Sequence, residues 1–264
     1  MKNSVLLYLL IIVWMASCKE PYYFLSPLNS TSQTYHTISL KSDSVKSSTY
    51  INGIVTLGGA NQDGRDNVYS FNGNISRSNN LGHFQSYYEL GITLGDYVIQ
   101  QFSETNLTIP PTDNFFGAIG FNGGINLVVP IGNNGGEWRV IGVETSLQNE
   151  FGNYLSYRKS IKDSTNYGLI ETSNWTTTIG GYSEIVWKLK NTNQVGYKIS
   201  CGTALQNSNS YYGYQPHINP VYLLNTFHVT RKKVTGFAQL NISTHAASVQ
   251  LGVNYRIGKR KKIS

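Results

Sequence analysis

From about residue 49 to residue 257 the chain alternates apolar and polar positions with a period of two, the pattern of strands with two unlike faces. Tyr69, Phe71 and Ile75 point one way, and Ser70, Asn72, Asn74 and Ser76 the other. Ile119, Phe121, Ile125, Leu127 and Val129 oppose Ala118, Gly120, Asn122, Gly124 and Asn126; Val249, Leu251, Val253, Tyr255 and Ile257 oppose Ser248, Gln250, Gly252, Asn254 and Arg256. The pattern predicts ten strands, near 49–59, 67–77, 83–95, 115–130, 137–149, 174–188, 194–206, 220–230, 233–243 and 247–257. Their polar faces carry Gly, Asn, Ser and Gln, with few of the Lys and Glu residues that coat a soluble surface. Small polar residues suit a narrow wet lumen, which turns the apolar faces toward lipid. Connection lengths point the same way. The links at 78–81, 131–136, 190–194 and 231–232 are tight, whereas those at 96–114, 150–173 and 207–219 are long, and short and long turns alternate in an outer-membrane barrel. The expectation is an all-β fold: an antiparallel up-and-down transmembrane β-barrel of about ten strands over residues 48–258.

Composition supports strands over helices. Only 13% of residues are charged and 40% hydrophobic, with 26 Gly and 19 Tyr among 264 residues. The net charge of +7 gathers at the ends of the short links and at the C-terminus, in Arg77, Lys188, Lys190, Arg231, Lys232, Lys233 and Lys259 to Lys262. Such a rim can rest on anionic lipid headgroups, or it is simply solvated charge at turns. Aromatics do not interleave with these bases as stacking platforms do, so no nucleic-acid partner is expected.

The N-terminus carries its own signal. Lys2 is followed by an apolar run from Val5 to Met15 and then by Met15-Ala16-Ser17-Cys18, a secretory signal with a small-residue cleavage site. The cysteine directly after the small residues resembles a bacterial lipobox, which implies cleavage after residue 17 and a lipid on Cys18. The ordinary alternative is a signal peptide with an incidental cysteine. Residues 18–47, rich in Ser, Thr and Pro and without a sustained period, read as a lipidated tether. Residues 259–264 read as a basic periplasmic tail. With Cys18 lipidated, Cys201 is left alone and no intramolecular disulfide is expected.

Together, Met15-Ala16-Ser17-Cys18 and the closing segment Val249-Gln250-Leu251-Gly252-Val253-Asn254-Tyr255-Arg256-Ile257 resemble the lipoprotein signals and final strands of Bacteroidetes-type outer-membrane β-barrel proteins. The resemblance implies an outer-membrane location with an N-terminal lipid anchor, outer-membrane lipids as surroundings, and recognition of the last strand by the barrel-assembly machinery. The chain departs from many barrels by continuing past Tyr255 to Ser264. The resemblance brings no catalytic residues with it.

Motifs for chemistry are sparse. There is no His-Glu-x-x-His, no paired Cys and no Gly-x-Ser-x-Gly, so neither a metal nor a cofactor is expected. The ionisable residues on lumen faces are Glu89, Glu144, Lys198, His228 and Arg256, with Glu184, whose face also carries Tyr182 and Val186, as a further candidate. In a low-dielectric lumen they are obliged to pair, either as a plug that fills the bore or as the lining of a binding site or narrow pore. Long outer loops carry Tyr154 and Tyr157 in one case, and Tyr211, Tyr212, Tyr214 and His217 in the other. These are contact surfaces for a cell-surface ligand or rings packed onto the rim. Phe151, Tyr154 or Leu155, and Arg158 have the spacing of a short helix over the mouth. Asp96, Asp113 and His217 stand in no catalytic motif, and no enzyme activity is expected. The expected function is a structural or surface-binding barrel with a plugged lumen; the alternatives are a narrow pore or transport-associated barrel, and a lipid-anchored soluble ligand binder of the lipocalin sort.

Overall fold

The structure, a computed structural model, describes residues 23–43, 45–60, 65–104, 107–132, 135–162, 169–189, 193–205, 209–210 and 219–258. The ten expected strands form one closed barrel. They are β1 (Ser47–Ala60), β2 (Asp66–Leu81), β3 (Phe84–Ile99), β4 (Thr112–Ile131), β5 (Gly136–Phe151), β6 (Trp175–Lys188), β7 (Gln194–Leu205), β8 (Val221–Arg231), β9 (Val234–Ser243) and β10 (Ala246–Ile257). Every neighbouring pair is antiparallel, and β10 closes the ring on β1 with Ile257 opposite Thr49 and Ala246 opposite Ala60. Closure leaves no sheet edge, so every strand's backbone groups are paired within the wall.

The wall has its polarity reversed relative to a soluble protein. All ten strands carry exposed large apolar side chains on the outside, among them Ile51, Phe71, Leu90, Ile119, Ile141, Ile179, Ile199, Phe227, Leu240 and Leu251. The inner face is polar, with Asn52, Asn74, Gln85, Asn122, Gln148, Thr178, Ser200, Thr226, Gln239, Asn241, Gln250 and Asn254 all buried. A continuous apolar exterior is stable only where the wall meets hydrocarbon. The soluble lipocalin-like alternative needs the opposite arrangement, an apolar bore inside a polar coat, and the barrel does not have it.

The tether expectation meets a different structure. Every residue from Phe24 to Leu40 is buried. Their partners lie on strands all around the ring: Gln33 donates to Thr178 of β6, Ser32 meets Ser146 of β5, and Asn254 of β10 donates to Thr37. The segment therefore runs inside the barrel. Side chains alone fill a barrel of about eight strands; two further strands open room for one more chain, and this segment occupies it. It contains one short helix, α1 (Leu28–Thr31), and is otherwise extended. The lipobox, Cys18 and the basic tail 259–264 lie outside the described residues.

Aromatic rings inside the wall are laid flat against glycines on the next strand. Tyr87 pairs with Gly124, Tyr182 with Gly142, His228 with Gly196 and Phe237 with Gly252. A Cβ on any of these glycines would strike the ring opposite. The pairing covers the bare glycine backbone and keeps each ring out of the central bore.

The two ends of the barrel differ. At one end the strands are joined by short turns such as Gly82-His83 and Lys232-Lys233. At the other, long connections gather, and the 150–173 link carries the expected helix, α2 (Asn153–Ile161). Gly152 begins α2 at φ 115°, and a Cβ there would stand 2.7 Å from the Phe115 carbonyl oxygen. Only glycine fits so close a turn from β5 into the helix.

Candidate functional site

The occupied lumen is where most of the buried polar chemistry of the described chain collects. An extended segment has no internal partners for its carbonyls, and each must find a donor. The wall supplies them as side-chain amides and one guanidinium. Asn241 donates to the carbonyl oxygen of Ser30, Gln250 to that of Thr31 at 3.0 Å, Asn122 to Ser32 at 3.3 Å and Gln239 to Gln33 at 2.9 Å. Lower down, Arg139 Nη2 donates to the Ile38 carbonyl at 2.9 Å and Gln85 to that of Ser39 at 3.2 Å. The Asn and Gln content of the polar faces thus has a specific use.

Charges form two groups inside. Arg139 is at the centre of the first. Its Nη1 lies 2.5 Å from Glu184 Oε2, its Nε donates to Gln85 Oε1 at 2.9 Å, and Glu137 stands 4.0 Å away. His228 Nε2 is 2.9 Å from the other oxygen of Glu184. Tyr35 of the threaded segment stacks on His228, with centroids 4.5 Å apart, and donates to Glu184 at 3.3 Å. On the next strand Lys198, directly opposite Glu184 in the ladder, meets Glu144 at 2.6 Å and sits 4.1 Å from the Tyr182 ring centre, and Tyr87 donates to the same carboxylate. His36 of the segment lies 2.8 Å from Glu89.

Of the lumen residues expected from the sequence, Glu89, Glu144, Lys198 and His228 are brought together around the threaded segment. Arg256 does not join them. It is half-buried at the short-turn mouth, lining a small space with Thr37, Tyr50, Lys232 and Lys233. Glu184 proves central, and Arg139 was missed. The cause is a β-bulge. The ladder skips from Leu127 opposite Ile141 to Val128 opposite Arg139, leaving Val140 extra. One inserted residue reverses the alternation, so Arg139 faces inward in company with Gly142, Glu144 and Ser146. Ser183 donates to the Arg139 carbonyl from the neighbouring strand and Trp138 donates to Ser183.

A second ionic group closes the long-loop mouth. Arg158 of α2 lies 2.6 Å from Glu150 and 3.6 Å from Glu171, all three fully buried, with the Tyr154 ring beneath the guanidinium. Burial alone would lower the Arg158 pKa, but the two carboxylates outweigh it and hold it above its ordinary value. Burial raises Glu171, against the opposing pull of Arg158 and of donors from Ser26 and Asn29. Ser26 also donates to Glu150 at 2.6 Å. Around these charges packs an apolar cluster of Phe24, Leu28, Ala60, Val68, Tyr97, Ile99, Phe116, Ala118, Tyr154 and Ile170.

Tyr154, expected as a loop contact, is therefore not available at the surface. It is fully buried, stacks on Tyr97 at 3.9 Å and donates to the Leu25 carbonyl. Tyr157 is half-buried, edge-on to Phe24 at 5.8 Å. Tyr211, Tyr212, Tyr214 and His217 lie outside the described residues. Asp96 and Asp113 stand on the outer wall. Among the described residues no group of three His, Cys, Asp or Glu side chains could hold a metal ion.

No family model and no curated protein matches the chain. Among solved structures it is similar to the β domain of the Bordetella autotransporter BrkA, at 11% identity and a TM-score of 0.41, covering 80% of this chain and 99% of that one. The translocator domain of the autotransporter NalP from Neisseria meningitidis gives 11% identity and 0.41, covering 82% and 92%. An outer-membrane channel from Pseudomonas putida F1 gives 8% and 0.36, covering 88% and 100%. These values add nothing to the barrel seen directly. The class of the protein follows from its own geometry: a ten-stranded barrel with a lipid-facing exterior and a lumen occupied by its own N-terminal segment.

Proposed function

We propose that the protein is an outer-membrane β-barrel whose lumen is sealed by residues 24–40, and that it serves as a structural or surface-binding element and not as an open pore. The observation that carries this reading is the continuous burial of that segment, with hydrogen bonds from β3, β4, β5, β9 and β10 to its backbone carbonyls. Outer-membrane lipids surround the apolar wall, and the basic short-turn rim faces the periplasm. The closing strand Val249–Ile257 is the element offered to the barrel-assembly machinery. The lipobox fits a lipid anchor at Cys18. No catalytic role is proposed, because the lumen carboxylates are engaged by Arg139, Lys198, the histidines and the segment itself. Specificity for a cell-surface ligand falls to the long loops beyond α2, including Tyr211, Tyr212 and Tyr214.

Planar-bilayer recording tests the seal. The full chain is expected to stay closed, and a chain lacking residues 24–40, checked for heat-modifiable migration, is expected to conduct. Should that deletion fail to fold, Phe24→Ala with Leu28→Ala provides a milder opening, expected as brief conductance steps. Large stable steps from the full chain would overturn the reading.

A further inference from the structure

The direction in which the segment crosses the bore fixes the face at which the N-terminus leaves the barrel. Tyr23 and Phe24 pair in parallel with Leu169 and Ile170 of the long β5–β6 link, and Glu171 N–H donates to the Phe24 carbonyl at 3.0 Å. Ser26 and Leu25 are held by Glu150 and Tyr154 at the same mouth. Proceeding along the chain, the partners descend the barrel in order: Asn241 and Gln250, then Asn122 and Thr178, then Glu184 and Glu89, then Arg139 and Gln85. Lys41 N–H reaches Glu137, and Ser42 donates to the Gly135 carbonyl and accepts from Lys188, all at the short-turn end. β1 then starts from that end at Ser47. An extended chain covers about 3.3 Å per residue, so residues 24–40 easily exceed the apolar band of about 25 Å that a barrel presents to lipid.

We infer that the chain preceding Tyr23 emerges at the long-loop face, so that the lipid on Cys18 anchors in the outer leaflet and the protein is a surface lipoprotein threaded through its own barrel. This rests on the orientation and lipidation given above. Cys18 is five residues before Tyr23, and that stretch spans at most about 17 Å when extended. It is too short to pass back down an occupied bore to the periplasmic leaflet. The mouth is also closed to a return path by Arg158, Glu150, Glu171 and the apolar cluster. The consequence is chemical as well as topological. The acyl group joins the leaflet that the long loops share, and whatever those loops bind is bound beside the anchor.

Cysteine accessibility in the bacterial host decides the point. In a Cys201→Ser background, reporters are placed one at a time at Glu20→Cys in the flank, Lys159→Cys on α2 and His83→Cys in a short turn, and intact cells are treated with a membrane-impermeant maleimide, with the Cys201→Ser parent alone setting the label due to Cys18. Glu20→Cys is expected to label as Lys159→Cys does, with His83→Cys labelled only after permeabilisation. An epitope inserted between Glu20 and Pro21, detected by antibody on intact cells, gives the same answer if the single cysteine is shielded. A flank that behaves like His83→Cys in both assays overturns the inference. If the two reference positions exchange behaviour, the membrane orientation itself is wrong and the surface location falls with it. Incorporation of an alkyne-bearing palmitate, lost in Cys18→Ser, is read separately. Its absence removes the outer-leaflet anchor while the maleimide result still establishes the side from which the flank emerges.

Discussion

The threaded segment is held in two different ways at two levels of the barrel. At the long-loop mouth Phe24 and Leu28 are locked into an apolar cluster beside a buried Arg158–Glu150–Glu171 group. In the middle of the bore amide donors from strands on opposite sides meet the segment's carbonyls one by one, and Tyr35 and His36 reach Glu184 and Glu89. Burial of a large apolar side chain stabilises by about 1.5–3 kcal/mol, whereas a neutral hydrogen bond contributes about 1 kcal/mol net. The mouth therefore holds the segment through the larger apolar cluster, and the mid-lumen adds register and polar satisfaction to the smaller one of Tyr35, Ile54 and Phe237.

That contrast can be broken from the top down. Arg158→Ala strands two buried carboxylates and is expected to cost about 3–5 kcal/mol, read as a lowered urea midpoint in lipid vesicles and as new protease cleavage within residues 23–40. Leu28→Ala removes a fully buried side chain from the cluster and is expected to cost about 2–4 kcal/mol, with the same cleavage pattern at lower protease sensitivity. Gln250→Leu in the mid-lumen removes one donor to Thr31 and is expected to cost about 1 kcal/mol, without new cleavage. Equal effects of Leu28→Ala and Gln250→Leu would erase the difference between the two levels. The smallest change lies outside both. Lys232 adopts φ 56° in the β8–β9 turn, and Lys232→Asn, more at ease in that region, is expected to raise stability by under about 1 kcal/mol and leave proteolysis unchanged.

The strands were legible because a barrel wall obeys one rule along its whole length. Tyr69 against Ser70 and Val253 against Asn254 repeat the same two-faced choice, and each strand ends near where its alternation stops. The bulge broke that rule at a single residue. With Val140 inserted, strict alternation turns Arg139 outward, so the most connected charge in the lumen was hidden by a one-residue shift. Glu184 was visible but lacked its partner. The threaded segment was hidden for a different reason. Gln33, His36 and Thr37 touch walls on several sides, so no periodic face exists to be read, and a Ser/Thr-rich extended stretch looks the same whether it is solvated or enclosed. Its trace lay in the partners, the Asn and Gln lining the bore. Arg158 sat on a loop where spacing gave a helix but could not show that its charged side turned inward, toward Glu150 at the end of β5.

Enclosing the N-terminal segment also constrains the order in which the molecule is made. Residues 24–40 precede every strand in synthesis and export, yet they finish inside a ring that closes only when β10 meets β1. Passing the segment through a finished ring would require Tyr35, His36 and α1 to be drawn through a bore so narrow that every residue from Phe24 to Leu40 ends buried in it. The simpler sequence is for the strands to wrap around the segment as a sheet around a core rod, with the β10–β1 seam zipped last. Assembly would then be templated from within, and a chain whose segment is missing or misplaced would be expected to close its β10–β1 seam more slowly.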